Sequence, residues 1–551
     1  MQINTREFTN GQTINADICI IGAGPAGTTL AREFLETNIK VALLESGGTS
    51  SDPRTQSLSH GKLSGELYEP MEDTHLRQLG GTANHWIIKM SDGQFGYRFT
   101  PLYEIDFEKR DSLPYSGWPI TRASLNPYYA RVHEVCNVGA FDYSSKYWTR
   151  TQGEPLPLPE SDVVSNVYMF APTSKFTRTF PAQFASSPNV DTYLHATVVE
   201  LITNADGKKV ERALVRMFDG KEIYFEAKQF VIAANALQTP RLLLNSRRNH
   251  ANGIGNQHDN VGRYYMDHAL VPSGNFYPND PTIINKLGFY DMHLIDSASV
   301  MGKLSLSPHF MRKEGLRNFT ATLFPMPEFK DIDALESSKA IASQLAARKL
   351  PKNLGKHLLN IYRGKWHLLR VMYERLRYKT PILPGFGRGG WSRLSNNDKK
   401  YHRLELMAIV EQSPNPENRV SLIDEIDELG CQKIKLHYTW SQTDVESILR
   451  AQKVISTALS NCGLGRYEPS SMDAESIRTL WGLHHMTGTT RMSDDPKDGV
   501  VDKNCKVHGV ENLYVASSAI FPTGGYANPT LTILAFAIRI ADELKAQLTV
   551  R

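Results

Sequence analysis

The chain is poor in cysteine, with five in 551 residues, at 19, 136, 431, 462 and 505, and no C-x-x-C spacing among them. That excludes a disulfide framework and a cysteine metal site, and the thiols read as reduced ones in a reducing compartment. No run approaches ~18 consecutive apolar residues, so no transmembrane span is expected. The opening Met1-Gln-Ile-Asn-Thr-Arg-Glu7 lacks the basic and apolar regions of a secretory signal. A cytoplasmic location follows as the expectation, with export alongside a signal-bearing partner left open. Excess charge is also missing. With 62 Lys and Arg against 58 Asp and Glu, the net +4 is too small to point to nucleic acid as the main partner. There is no internal repeat and no low-complexity tract. What is present is length and 41% hydrophobic content, enough for a large core and two or more domains.

The N-terminal Asp17-Ile-Cys-Ile-Ile-Gly22-Ala-Gly24-Pro-Ala-Gly27 carries the first chemical signal. Residues 17–21 read as a buried strand containing Cys19, and 26–37 as a helix. A second strand, 40–44, ends at Glu45, 18 residues past Gly27. Each part has a mechanical task. The glycines let backbone approach a pyrophosphate at the helix N-terminus, and the acid accepts hydrogen bonds from ribose hydroxyls. An ordinary glycine turn in a βαβ unit leaves the terminal acid unexplained.

Near the other end, Gly482-Leu-His-His-Met-Thr-Gly-Thr-Thr-Arg-Met492 and Gly525-Tyr-Ala-Asn-Pro-Thr-Leu531 place His485 and Asn528 43 residues apart, at the edges of two glycine-rich turns. Between the two ends lie Leu79-Gly-Gly-Thr-Ala-Asn-His-Trp86 and Phe230-Val-Ile-Ala-Ala-Asn-Ala-Leu-Gln-Thr-Pro-Arg-Leu-Leu-Leu244. Two further stretches follow, Asn260-Val-Gly-Arg-Tyr-Tyr-Met-Asp-His268 and Glu411-Gln-Ser-Pro-Asn-Pro-Glu-Asn-Arg-Val-Ser-Leu422. Taken together and in this order, the motifs resemble the glucose-methanol-choline (GMC) oxidoreductases over nearly the whole chain.

The resemblance implies FAD rather than NAD. It implies an α/β fold, α+β overall, in which a Rossmann-type FAD-binding domain is interleaved with a substrate domain built on an antiparallel sheet. The cofactor part is expected at 1–100, 185–268 and 480–551. The substrate part is expected at 101–184 and 269–479, with a basic helical insertion at about 331–379. Cofactor contacts carried over from the motifs fall on Gly22, Gly24, Gly27 and Glu45, and on Gly80, Gly81, Thr82, Asn84, His85 and Trp86. Others fall on Val198 beside the adenine, on Ala234, and on Pro529 and Thr530. His85 stands where some members bond the flavin covalently; contact without a bond is the favoured expectation and covalency the alternative. No metal is expected. The stretches 190–201 and 209–216 read as strands of a hairpin around Asn204-Ala-Asp-Gly207.

Oxidising an alcohol with a flavin requires removal of the hydroxyl proton as the carbon-bound hydrogen leaves, and the protein supplies the proton acceptor and the orientation. Neutral imidazole suits that acceptor role at ordinary pH. The family pattern sets the active histidine three residues before Gly488-Thr489, which is His485. Its neighbour His484 should point elsewhere if the segment is extended. Asn528 donates to the substrate oxygen. This His and Asn combination resembles the sugar-oxidising branch that includes pyranose oxidases. The chain departs from the family pattern at Asn235, which replaces a glycine, and at Ser517, which replaces an aspartate near the ribityl chain.

The leading expectation is therefore oxidation of a sugar or glycoside hydroxyl, a secondary one giving a ketone, with dioxygen or a quinone or redox protein as electron acceptor. One rival is the same chemistry on an apolar alcohol or sterol at a membrane. A rival of another class is an FAD-containing lyase without net redox turnover, and a noncatalytic flavoprotein is the remotest reading. Between Arg348 and Lys379 stand ten Lys or Arg and one acid, Glu374. Leu354, Leu358, Ile361, Leu368, Met372 and Leu376 recur there at helical spacing. This face is expected to pack on its own enzyme or on a second subunit, with an anionic membrane or a partner surface as the second reading.

Overall fold

Apolar runs broken by glycine turns build three sheets, described in a computed structural model at residues 1–86, 88–89, 95–149, 153–172, 174–378, 389–480 and 482–549. The first sheet centres on the Thr13–Ile21 strand, fully buried from Ile18 to Cys19 and Ile20, flanked in parallel by Val41–Leu44 and Glu222–Ile232. Val190–Leu194 extends it beyond Val41–Leu44, and Leu513–Val515 joins Glu222–Ile232, again in parallel. Parallel strands buried on both faces account for the near-continuous apolar runs. The second sheet is antiparallel. It runs from Gly465–Pro469 through Ala269–Pro278, Arg403–Val410, Phe319–Met326, Ala298–Leu306 and Val163–Pro172 to Phe95–Phe99 and Ile88–Lys89. A small third sheet joins Arg419–Ile426, Gln432–Tyr438 and Gly61–Gly65. The mixed architecture is thus a Rossmann-type sheet beside an antiparallel one.

Three local expectations are corrected. The helix expected over 26–37 ends at Arg32. Beyond it the backbone tightens to three-residue spacing, with Glu33, Phe34 and Leu35 N–H donating to the carbonyls of Leu30, Ala31 and Arg32. The Thr37 hydroxyl then takes the Phe34 carbonyl at 2.8 Å, which ends the spiral. The strand expected over 190–201 is two strands, Val190–Leu194 and Val198–Thr203, parted at His195 with φ +60°. The break turns the chain toward the loop after Glu45, where Ala196 N–H donates to the Glu45 carbonyl at 2.7 Å. The second piece does form the expected hairpin with Val210–Arg216.

The third correction concerns the insertion. It consists of three helices, Phe329–Ala346, Leu354–Arg363 and Lys365–Tyr378, separated by a break containing Pro351 and by Gly364, while Lys379 lies outside the described residues. Of the expected packing stripe, only Ile361 and Leu368 are partly covered, whereas Leu354, Leu358, Met372 and Leu376 are exposed. The inward side is the opposite one. Asn360 Nδ2 donates to Ser337 Oγ at 3.1 Å, Gly364 is pressed against Ala334, and Glu374 pairs with Lys400 at 2.6 Å. Among the described residues no helix is long and apolar enough to cross a membrane.

Candidate active site

The cofactor cradle begins where the Thr13–Ile21 strand ends. Gly22 has φ +108°, and a Cβ there would stand 2.7 Å from the Ala233 carbonyl oxygen. At Gly27 a Cβ would fall 1.9 Å from the Gly22 carbonyl oxygen, so only glycine lets the helix return this close to its own turn. Gly24 caps the Pro25–Arg32 helix, and a Cβ on it would meet nothing within 4 Å, leaving bare backbone at a helix N-terminus. Glu45 grips the turn: Oε2 accepts from Ala23 N–H at 3.1 Å and Oε1 from Gly47 N–H at 2.9 Å. Burial pushes its carboxyl pKa up, against those hydrogen bonds and the Arg77 charge.

One cavity runs over this turn. Gly22, Gly24, Glu45, Gly81, Thr82, Trp86, Val198, Ala234, Pro529 and Thr530 all line it. Thr530 opens the Thr530–Thr549 helix, whose positive N-terminal end therefore faces the same space. The other expected contacts stand behind the wall. Gly27 supports the turn, Gly80 takes φ +86° to begin the second glycine turn, and Asn84 pins that turn by donating to the Leu79 and Gly81 carbonyls at 3.0 and 2.8 Å. His85 is exposed. The two departures from the family pattern have local reasons. Asn235 Oδ1 accepts from Leu237 and Gln238 N–H, both at 2.9 Å, capping the Gln238–Asn245 helix, and Ser517 caps Ser518–Ile520 at the cavity wall.

The donor set fits a dinucleotide: an acid and Val198 for a nucleoside, bare backbone and a helix N-terminus for a diphosphate, and an aromatic and a second helix N-terminus for the far ring. Arg77 and His75 also line the cavity, and no motif marked them. Arg77 donates to Ser46, Ser59 and Gln238, and burial with the nearby Arg241 charge lowers it to about 10. Burial, then Arg77, lowers His75 to about 3, so it is neutral.

His485 and Asn528 are brought together by an irregular antiparallel contact. Met266 and Thr487 exchange backbone hydrogen bonds of 3.1 and 2.9 Å, and Leu483 N–H donates to the His268 carbonyl at 2.9 Å. Asp267 locks the pair of segments, because its Oδ1 accepts from both His268 N–H and His485 N–H at 2.7 Å. Its Oδ2 accepts from the Tyr68 hydroxyl at 2.6 Å, and burial raises it to about 6. His268 Nδ1 then meets His485 Nδ1 at 2.9 Å, while Asn528 Nδ2 meets His485 Nε2 at 2.8 Å. Both His485 and Asn528 are partly accessible.

With the Asn528 amide nitrogen turned toward His485, the proton positions follow. An amide nitrogen only donates, so His485 Nε2 is the acceptor and carries the lone pair. The proton of neutral His485 is on Nδ1 and is donated to His268 Nδ1, which leaves the His268 proton on Nε2. Burial, followed by the charges of His268, Arg98 and His484, holds the His485 pKa well below 6.5, and burial lowers His268 to about 4. Neighbouring His484 takes φ +57°, lines the cofactor cavity and pairs with Glu69. Asp267 and His268 lie inside a motif read for its family likeness, and neither was assigned a role from sequence.

Beyond Asn528 the second sheet presents side chains. Tyr168, Phe170, Met292, Met301, Phe324 and Tyr526 form one buried cluster. Lys303 is fully buried against it, its Nζ 3.7 Å from the Tyr526 ring centroid and without a hydrogen-bond partner among the described residues. Behind Gly525 sits a buried acid pair. Asn318 Nδ2 donates to Asp106 at 2.6 Å and to Glu411 at 3.0 Å, and Arg110 donates to Glu411 at 3.1 Å. Burial and the Glu411 charge raise Asp106 to about 7. Arg110 and Asn318 hold Glu411 low against its burial, so Glu411 keeps the charge.

Fold and cavity fit a class, the dinucleotide-binding proteins. The family described as GMC oxidoreductase matches residues 414–537. The 6'''-hydroxyparomomycin C oxidase of Streptomyces lividus is 23% identical across 97% of this chain and 92% of its own. The C-glycoside 3-oxidase of Microbacterium trichothecenolyticum is 34% identical over 24% of this chain and 26% of its own. Among solved structures, formate oxidase of Aspergillus oryzae shares the fold with TM-score 0.54 and 17% identity, covering 98% of this chain and 99% of its own. Over residues 414–537 the chain is similar to the GMC oxidoreductases, and across nearly its whole length to oxidases at lower identity.

Proposed function

We propose that the protein is an FAD-dependent enzyme that oxidises a secondary hydroxyl of a sugar or glycoside to a ketone, with His485 as base and Asn528 as the donor that orients the substrate oxygen. The observation that carries this reading is the arrangement at His485 Nε2, a lone pair held neutral by burial and faced by an amide donor. FAD would lie along the cavity from Glu45 and Val198, over Gly22 and Gly24, to Gly81, Thr82, Trp86, Ala234, Pro529 and Thr530. Segments 1–100, 185–268 and 480–551 would form its domain, with 101–184 and 269–479 on the substrate side.

Bound there, the flavin supplies the acceptor for the carbon-bound hydrogen. The chain's own residues do the rest. A substrate hydroxyl enters between His485 Nε2 and Asn528 Nδ2 in place of their mutual hydrogen bond, its oxygen accepting from the amide and its proton pointing at the imidazole. His485 takes that proton at Nε2 while its Nδ1–H stays donated to His268. Relatives named as a C-glycoside 3-oxidase and a 6'''-hydroxyparomomycin C oxidase support a sugar substrate.

The test is anaerobic mixing of flavin-loaded protein with monosaccharides, O- and C-glycosides, aminoglycosides and aliphatic alcohols, followed by admission of air. Bleaching of the flavin band by a sugar supports the reading. Recolouring in air identifies dioxygen as acceptor, and persistent bleaching identifies a quinone or redox protein. Bleaching by aliphatic alcohols alone would overturn the sugar assignment, and none with any alcohol would leave a lyase.

A further inference from the structure

The largest unabsorbed feature is the surface of the Leu354–Arg363 and Lys365–Tyr378 helices. Leu350 is 90% exposed, Leu376 80% and Trp366 74%, with Leu358, Tyr362 and Met372 all more than half exposed beside them. Exposed apolar side chains gathered on one face mark a surface that meets something else. From Arg348 to Lys379 the sequence holds ten Lys or Arg, six of them in the two helices, and a single acid. That acid, Glu374, is turned inward and spent on Lys400, so it does not offset the outer charge. Since the whole chain is only +4, the remainder of the protein is net negative and this face is its cationic pole.

We propose that this helix pair docks the protein onto an anionic lipid bilayer, lying in the headgroup layer with its leucines and aromatics inserted and its lysines and arginines on the lipid phosphates. Aromatic and aliphatic side chains interleaved with basic ones on a helix that cannot span a membrane are the composition of an interfacial helix. Lys365 Nζ already sits 4.1 Å from the Tyr362 ring centroid, which keeps a cation at the edge of the apolar patch. A second copy is the poorer occupant. A two-fold contact sets a patch against itself, and here that opposes two cationic surfaces.

The surface is connected to the site. The Phe319–Met326 strand leads directly into the helical insertion, and its Phe324 and Met326 belong to the cluster around Tyr526, two residues before Asn528. Docking would therefore bring the substrate side, not the cofactor side, to the lipid. The proposal does not depend on which alcohol is oxidised.

The test is co-sedimentation of the flavin-loaded protein with vesicles of phosphatidylcholine alone and of phosphatidylcholine with phosphatidylglycerol, across a salt series. We expect binding to the anionic vesicles that weakens with salt, and little to the zwitterionic ones. In Lys352→Gln/Lys356→Gln/Arg363→Gln, all exposed positions, partitioning should fall about fivefold per lost cation, and Trp366→Ser should weaken it at every salt concentration. Equal binding to both vesicle types, no binding to the anionic ones at low salt, or variants that bind like wild type would overturn it. So would a concentration-dependent dimer that the same triple variant abolishes. Should a variant fail to fold, the lipid and salt dependence of the wild type decides alone.

Discussion

The glycine-turn cavity and the antiparallel sheet of this molecule, proposed as its cofactor and substrate sides, are built from different materials. The cradle is backbone: Gly22, Gly24 and Gly27 hold their places because a Cβ would strike a carbonyl or fill the space a ligand needs. The sheet side is side chains, where Tyr168 and Met301 pack with Tyr526 and Lys303 is buried among rings. A backbone site admits one residue type and so writes itself into the sequence. A side-chain site tolerates many residues of similar volume and leaves no short pattern.

His485→Ala tests the line between the two sides and should have the largest effect, a loss of about 10²–10⁴ in turnover with flavin content unchanged. Turnover within tenfold of wild type would remove His485 from the role of base. The same placement sets a pH profile. With its pKa lowered, His485 is in the active neutral form above that value, so turnover should stay level from about pH 6.5 upward and fall only in acid.

His268→Leu comes next, because it deprives His485 Nδ1 of its acceptor without touching substrate. A fall of about 10- to 100-fold in kcat is expected, largely restored in His268→Asn, whose oxygen can accept. Equal losses in both variants would mean that packing alone is at stake.

On the cofactor side, Gly27→Ala pushes a methyl onto a backbone carbonyl. It should cost about 1–3 kcal/mol of stability together with lost flavin, read by thermal melting and flavin absorbance. The smallest effect is expected at Asp106. Its folded pKa, about 7, lies above the unfolded 3.8, so its stabilising contribution is full below the unfolded value and is lost as pH rises through 7. Tm should therefore decline from about pH 4 to about pH 7 and level off above it, and Asp106→Asn, which mimics the protonated form, should flatten that slope. A slope unchanged in the variant would place the titration elsewhere.

The legibility of the fold follows the same division. The Thr13–Ile21 strand, its glycine turn and Glu45 were readable because they occupy one contiguous stretch, in which local sterics decide the structure. The break at His195 was not, since it exists to deliver Ala196 to the Glu45 carbonyl, a partner that no local propensity announces. The motifs singled out His485 and Asn528, which the fold brings within hydrogen-bond distance. Asp267 and His268 were not, because their roles arise only when segments more than 200 residues apart are laid side by side. In the insertion the helical period was correct, and of the expected directions only packing on the enzyme's own body is overturned. Periodicity identifies an apolar face, but which face turns inward was settled by Asn360, Gly364 and Glu374.

The facing Nδ1 atoms of His268 and His485 have a stoichiometric consequence. One hydrogen occupies the gap between them, and it remains there when His485 gains a second proton at Nε2. Charging His268 as well would set two N–H groups head to head across 2.9 Å. The two rings together therefore have room for one extra proton, the number that a single alcohol would surrender in the proposed reaction, and they would have to be emptied before the next.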